Sequence, residues 1–224
     1  MAAIERKPRL AASLYLVVIV AGIAGVVLRS GLFVRGDAEA TAQHISVAET
    51  AFRFAFVSDL AGAIAYIPVT LLLYEIFRPA GKTLSAFAAI LSFVGSAVGT
   101  VAAMYDFAPV LILKGAAQLP NLAPPELAYL YLRLNALGTN IALVFFGFYC
   151  ISIGTLARKL PSGSILAIAL QFGGLCYLIS SFSYFLAPQL AAAISPYILL
   201  PSVLAEVALT AWLFLKSTAI ERMT

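Results

Sequence analysis

The chain has 224 residues, of which 62% are hydrophobic and 11% charged, with a net charge of +4. A soluble domain carries about 25% charged residues, so this side-chain set cannot cover a water-exposed surface and the lipid bilayer is its expected solvent. The basic residues form short clusters between apolar runs rather than a stripe, which excludes a nucleic-acid interface, and two cysteines inside apolar segments exclude a disulfide framework.

Six apolar runs follow one another along the chain, and each is long enough to be read as a membrane-spanning helix. The first covers residues 10–28. Its basic head, Arg6-Lys7-Pro8-Arg9, resembles the start of a signal peptide, but the run is longer than a typical secretory apolar segment and no convincing A-x-A site follows it, so a retained helix is expected. In the loop after it, Asp37 is placed to cap a short helix whose residues Ala38, Ala42 and Ile45 share one face, as an interfacial segment would.

The second run covers residues 54–77 and is stopped by Arg78-Pro79-Ala80-Gly81. It contains Asp59. A carboxylate in mid-span costs about 2.5–3.5 kcal/mol on insertion scales and needs a partner or a purpose. Glu75, near the end of this run, is expected to pair with Arg78 on the surface. The third run, residues 84–113, carries Ser92, Gly95, Ser96 and Gly99 on nearby turns, a small-residue face suited to close helix packing, and then Asp106.

Residues 115–125 hold Pro120, Pro124 and Pro125 and are expected to be irregular and stiff. The fourth run covers residues 127–156 and includes Arg133, Asn135 and Asn140; the fifth, residues 165–186, is stopped by Pro188. The sixth, residues 197–215, contains Glu206 with no basic residue in its span until Lys216. The expected architecture is a single all-α membrane domain of six helices.

Orientation follows from the distribution of Lys and Arg. With the N-terminus inside, the inner segments carry Arg6, Lys7, Arg9, Arg78, Lys82, Arg158, Lys159, Lys216 and Arg222; the outer ones carry Arg29, Arg35, Arg53, Lys114 and Arg133. Both termini are therefore expected to be cytoplasmic. Asp59, Asn140 and Glu206 then lie at comparable depth, about 10–13 Å below the outer boundary at 1.5 Å per residue. Asp106, Arg53 and Arg133 belong near the same level, and Arg53 and Arg133 are the expected partners of Asp59 and Asp106.

These six residues are the candidate site: Asp59, Asn140, Glu206, Asp106, Arg53 and Arg133. Intramembrane carboxylates are functional candidates by default, so the expected function is binding or moving a small polar solute or protons through an outward-facing polar pocket. The alternative is a non-catalytic scaffold or regulatory partner whose polar residues hold the bundle together. An enzyme would need a nucleophile–base pair or a metal cluster. The sequence offers neither, and its one histidine, His44, lies in a loop. No cofactor is expected. Tyr129, Tyr131, Tyr177, Tyr197 and Trp212 fit packing or interfacial anchoring.

Several stretches together resemble a known family. They are residues 14–23 (LYLVVIVAGI), 52–60 (FRFAFVSDL), 145–150 (FFGFYC), 174–182 (GLCYLISSF) and 200–206 (LPSVLAE), the last followed by Ala211-Trp212-Leu213. The chain is similar over nearly its whole length to the bacterial membrane-protein family called domain of unknown function 4386. The resemblance implies a multi-pass bundle in a bacterial cytoplasmic membrane and no established activity. The family often has His where Tyr149 stands, Gly where Ala205 stands, and an arginine in the region of Ser92. The first of these departures removes a potential metal ligand.

Overall fold

A computed structural model describes residues 7–115 and 123–215. Arg6, Pro120, Lys216 and Arg222 of the readings above lie outside the described residues. The described chain forms eight α-helices: α1 (Lys7–Leu28), α2 (Ala38–Val47), α3 (Glu49–Phe77), α4 (Lys82–Leu113), α5 (Pro124–Ala157), α6 (Ser164–Leu186), α7 (Pro188–Ile194) and α8 (Leu200–Leu215). A 3-10 turn, Arg78–Ala80, ends α3, and another, Tyr197–Leu199, leads into α8. No strand occurs among the described residues.

Six of these segments are long and apolar enough to cross a bilayer, α8 together with its leading 3-10 turn. Their outward faces are apolar rather than charged. Val26 is 73% exposed, Ile64 69% and Ile165 83%, with Phe93, Phe172 and Leu204 exposed on other helices. Such faces are stable only against lipid. In lipid the backbone must satisfy its own polar groups, which is why each apolar run closes into a helix. The protein is a multi-pass membrane protein.

Several helices extend past the apolar runs because polar residues favour their ends. Glu49 in the first turn of α3 complements the helix dipole and accepts from Arg53 Nε at 2.6 Å while pairing with Lys114 Nζ at 2.9 Å. Pro124 and Pro125 open α5 instead of belonging to an irregular loop, since a proline in the first turn lacks only an N–H that would have no intrahelical partner. In α2 the Asp37 carboxylate accepts from the Ala40 backbone N–H at 2.9 Å, and Thr41, Ala42 and Ile45 are buried. Glu75 pairs with Lys7 of α1 rather than with Arg78, because α1 runs alongside α3 and brings its first turn to the end of that helix.

The spanning helices form a ring in chain order. Each of α1, α3, α4, α5, α6 and α8 packs on the next, and α8 closes against α1. Small residues set the closest approaches. A Cβ added to Gly174 would stand 2.6 Å from the Gly147 carbonyl oxygen, so α5 and α6 meet backbone to backbone. Gly95 lies under Phe145 and Phe146, placing the small-residue face of α4 against α5 as its spacing predicts. Ser92 and Thr70 share a buried hydrogen bond of 2.7 Å between α4 and α3. The main apolar core, which includes Tyr15, Leu73, Phe77, Ile153, Leu156, Leu170, Leu209 and Leu213, ties α1, α3, α5, α6 and α8 together.

Candidate functional site

Among the described residues, the predicted polar side chains border a cleft and a smaller hollow. The larger, a cleft of about 700 Å³, lies at the end of the bundle that carries α2 and α7. Its wall includes Arg29, Asp106, Arg133, Asn135 and Asn140, with Arg35 and Gly36 from the loop before α2 and Ala191 from α7. The smaller, about 320 Å³, is lined by residues from α1, α3, α4, α5, α6 and α8, among them Asp59, Tyr66, Phe146, Tyr177 and Glu206. Leu143 of α5 borders both.

Arg29 stands between the two hollows. It follows the last turn of α1, where a cation complements the negative end of the helix dipole, and its Nη1 donates to the Gly25 carbonyl oxygen at 3.3 Å. Its Nη2 binds Asp59 of α3 and lies 2.7 Å from Asp106 Oδ2 of α4. The guanidinium carbon sits 5.6 Å from the centre of the Phe52 ring, within cation–π range. Gly25 is what admits Asp59: a Cβ there would collide with the carboxylate. Three helices are thus joined through one guanidinium, with Asp106 facing the cleft and Asp59 facing the inner cavity.

The expected pairing of Asp59 and Asp106 with Arg53 and Arg133 is therefore wrong. Arg53 is about 1.7 turns from Asp59 at 3.6 residues per turn, which puts the two on different faces of α3. It instead meets Glu49 one turn back, at 2.6 Å, and stacks over Phe107 at 5.4 Å. Arg133 is exposed on the cleft wall and makes no ion pair among the described residues.

The remaining candidates separate into the two hollows. Asn140 lines the cleft and donates its Nδ2 proton to the Ala136 carbonyl oxygen of its own helix at 2.9 Å. Its neighbour Asn135, also in the cleft, donates to the Ala102 carbonyl oxygen of α4 at 3.0 Å. Glu206 lines the inner cavity with Asp59. Its Oε1 accepts from the Tyr177 hydroxyl at 2.9 Å, and it makes no ion pair among the described residues. Asp59, Asn140 and Glu206 therefore do not form one layer around one pocket. Two carboxylates share the inner cavity, and the amide belongs to the cleft.

Aromatic rings surround the inner carboxylate. Tyr66 packs edge-on against Tyr15, with centroids 5.9 Å apart, and against Phe146, at 5.7 Å. The hydroxyls of Tyr15 and Tyr149 are enclosed and make no well-formed hydrogen bond among the described residues. No cluster of three metal-ligating side chains occurs among the described residues.

Sequence reasoning missed three participants. Arg29 reads in the sequence as a loop cation, although its position directly after an apolar run puts its long side chain within reach of the span. Tyr177 reads as a packing residue, and nothing in its spacing singles out Tyr66. A hydroxyl-bearing ring deep in an apolar run needs a hydrogen-bond partner, and that requirement is the signal that could have linked Tyr177 to Glu206.

The profile of the family described as domain of unknown function DUF4386 matches residues 10–217. The chain belongs to that family. No curated protein and no solved structure matches it. In this DUF4386 member, the positions at which the sequence departs from the family resemblance are quiet in ionic terms: Ser92 is tied to Thr70, and Tyr149 is buried in the core. The ionic chemistry rests on Arg29, Asp59, Asp106 and Glu206. Arg29 joins Asp59 and Asp106, and the Tyr177 hydroxyl meets the Glu206 carboxylate.

Proposed function

We propose that this protein binds a small polar solute or protons in an intramembrane pocket open to the outside and moves them through the bundle. The observation that carries this reading is that Asp59 and Glu206, the carboxylates in mid-span of α3 and α8, line one cavity. Carboxylates kept only for packing have no need to share a space. Solute or protons would enter through the cleft, past Arg133 and Asn140. The Arg29 bridge joins Asp106 on the cleft wall to Asp59 on the cavity wall. A proton arriving on Asp106 or Asp59 would remove one of the two charges that hold the guanidinium and so loosen the bridge, while Glu206 and Tyr177 receive what passes. The proposed setting is a bacterial cytoplasmic membrane, with both termini in the cytoplasm and the α2 end outward.

The test is reconstitution of the full chain into liposomes that enclose a pH-sensitive dye. Under an imposed proton gradient, the native protein should dissipate the gradient faster than empty vesicles, and Glu206→Gln should not. Equal rates for the native protein, the variant and empty vesicles would remove the proton reading.

The second reading, a non-catalytic scaffold or regulatory partner, is favoured by one specific observation. Arg29 contacts both Asp59 and Asp106 within the protein, as a bridge that fixes the register of α1, α3 and α4 would. It leaves Glu206 without a role, since that carboxylate is in no such bridge.

A further inference from the structure

The inner cavity has a composition that selects among ligands. No Lys or Arg lines it, so nothing there balances an anion. Asp59 is claimed by Arg29, whereas Glu206 holds only the Tyr177 hydroxyl proton. The rings of Tyr66 and Phe146, 83° apart in plane with centroids at 5.7 Å, and the Tyr177 ring line the same cavity as Glu206. A bare divalent metal ion asks for about six oxygen ligands, which these walls do not supply. Aromatic faces beside a carboxylate are instead the chemistry that receives a cation whose charge is wrapped in carbon.

Glycines keep the space open. Gly22, Gly62, Gly95 and Gly99 all border the cavity. A Cβ at Gly22 would meet nothing within 4 Å, and one at Gly99 only Ala142, at 3.8 Å. The volume of about 320 Å³ is at the small end of ligand pockets, which run from roughly 300 to 1,000 Å³. It suits a compact molecule.

Resting on the reading that this cavity is the functional one, we propose that it binds a small organic ammonium ion, with the Glu206 carboxylate as counter-charge and the Tyr66, Phe146 and Tyr177 rings as its walls.

The experiment is calorimetric titration of the full-length protein in detergent with tetramethylammonium chloride, alongside sodium acetate and sodium chloride at equal ionic strength. Saturable binding is expected for tetramethylammonium alone. Glu206→Gln should weaken it roughly ten-fold or more and Phe146→Leu roughly three-fold, while Glu206→Asp, which keeps the charge, should retain most of it. Absence of saturable binding overturns the proposal, as does equal binding by native protein and Glu206→Gln, or preferential binding of acetate. Should Glu206→Gln fail to fold, the Phe146→Leu and Glu206→Asp arms decide alone. Loss of proton flux in Glu206→Gln vesicles without any ammonium binding would sink this inference and leave the broader reading standing. Failure of both sinks both.

Discussion

Asp59 and Glu206 face one cavity from α3 and α8, two helices that α1 separates in the ring. Their situations differ. Asp59 is neutralised by Arg29, and Glu206 is met by a neutral hydroxyl, Tyr177 at 2.9 Å. A buried carboxyl with no cation beside it is the more costly of the two to keep in a low-dielectric setting, so Glu206 is the residue whose presence packing does not explain.

Arg29 is expected to be the most important single side chain for stability at the α2 end. Arg29→Ala leaves Asp59 and Asp106 facing each other without their cation; breaking a fully buried pair costs about 3–5 kcal/mol, and a smaller loss is expected here because Arg29 and Asp59 are only partly buried. Thermal unfolding in detergent, followed by circular dichroism, should show a clear fall in melting temperature. Adding Asp59→Asn and Asp106→Asn to that variant should recover most of the loss. An Arg29→Ala protein that melts like the native one would contradict the bridge.

Close approach of α5 and α6 gives a second expectation. Gly174→Ala places a Cβ 2.6 Å from the Gly147 carbonyl oxygen and 2.9 Å from Ile151 Cγ1, and overpacking of this kind costs about 1–3 kcal/mol. Gly22→Ala, whose Cβ would meet nothing within 4 Å, should melt close to the native protein. The difference between these two variants in one unfolding assay checks the packing; similar melting temperatures would count against it.

The proposed orientation can be read chemically. Ser180 lines the cleft, and Cys150 and Cys176 are buried. Ser180→Cys should react with a membrane-impermeant maleimide added outside intact cells, while Lys82→Cys, at the opposite end of the bundle, should react only after permeabilisation. The reverse pattern would place the cleft on the cytoplasmic side.

The spans were legible in the sequence because lipid leaves few alternatives: an apolar run must satisfy its own backbone and becomes a helix. Their ends were less so. Glu49 and Lys82 start helices beyond the apolar residues, and Lys7 is already helical ahead of its run, since a charged side chain near a helix end can remain in the polar boundary. Pro124 looked like a breaker and serves as a starter. The carboxylates were found by their cost, but their partners were not. Which cation meets Asp59 depends on how α1 and α3 are rotated against each other, and no spacing within α3 encodes that. The mismatch of Arg53 with Asp59 was legible in principle, because the same spacing rule that links Glu49 to Arg53 turns Asp59 away. Asn140 and Glu206 line different hollows, with Leu143 bordering both, and that division is a property of the packed ring.

The most direct measurement of whether the shared cavity is functional is proton flux in vesicles carrying equal amounts of native protein, Asp59→Asn and Glu206→Gln, each first shown to have a native melting profile. Flux in the native protein that falls to the level of empty vesicles in Glu206→Gln, with Asp59→Asn also impaired, is the expected result. Native flux retained by both variants would contradict the functional cavity and leave its carboxylates as parts of the scaffold.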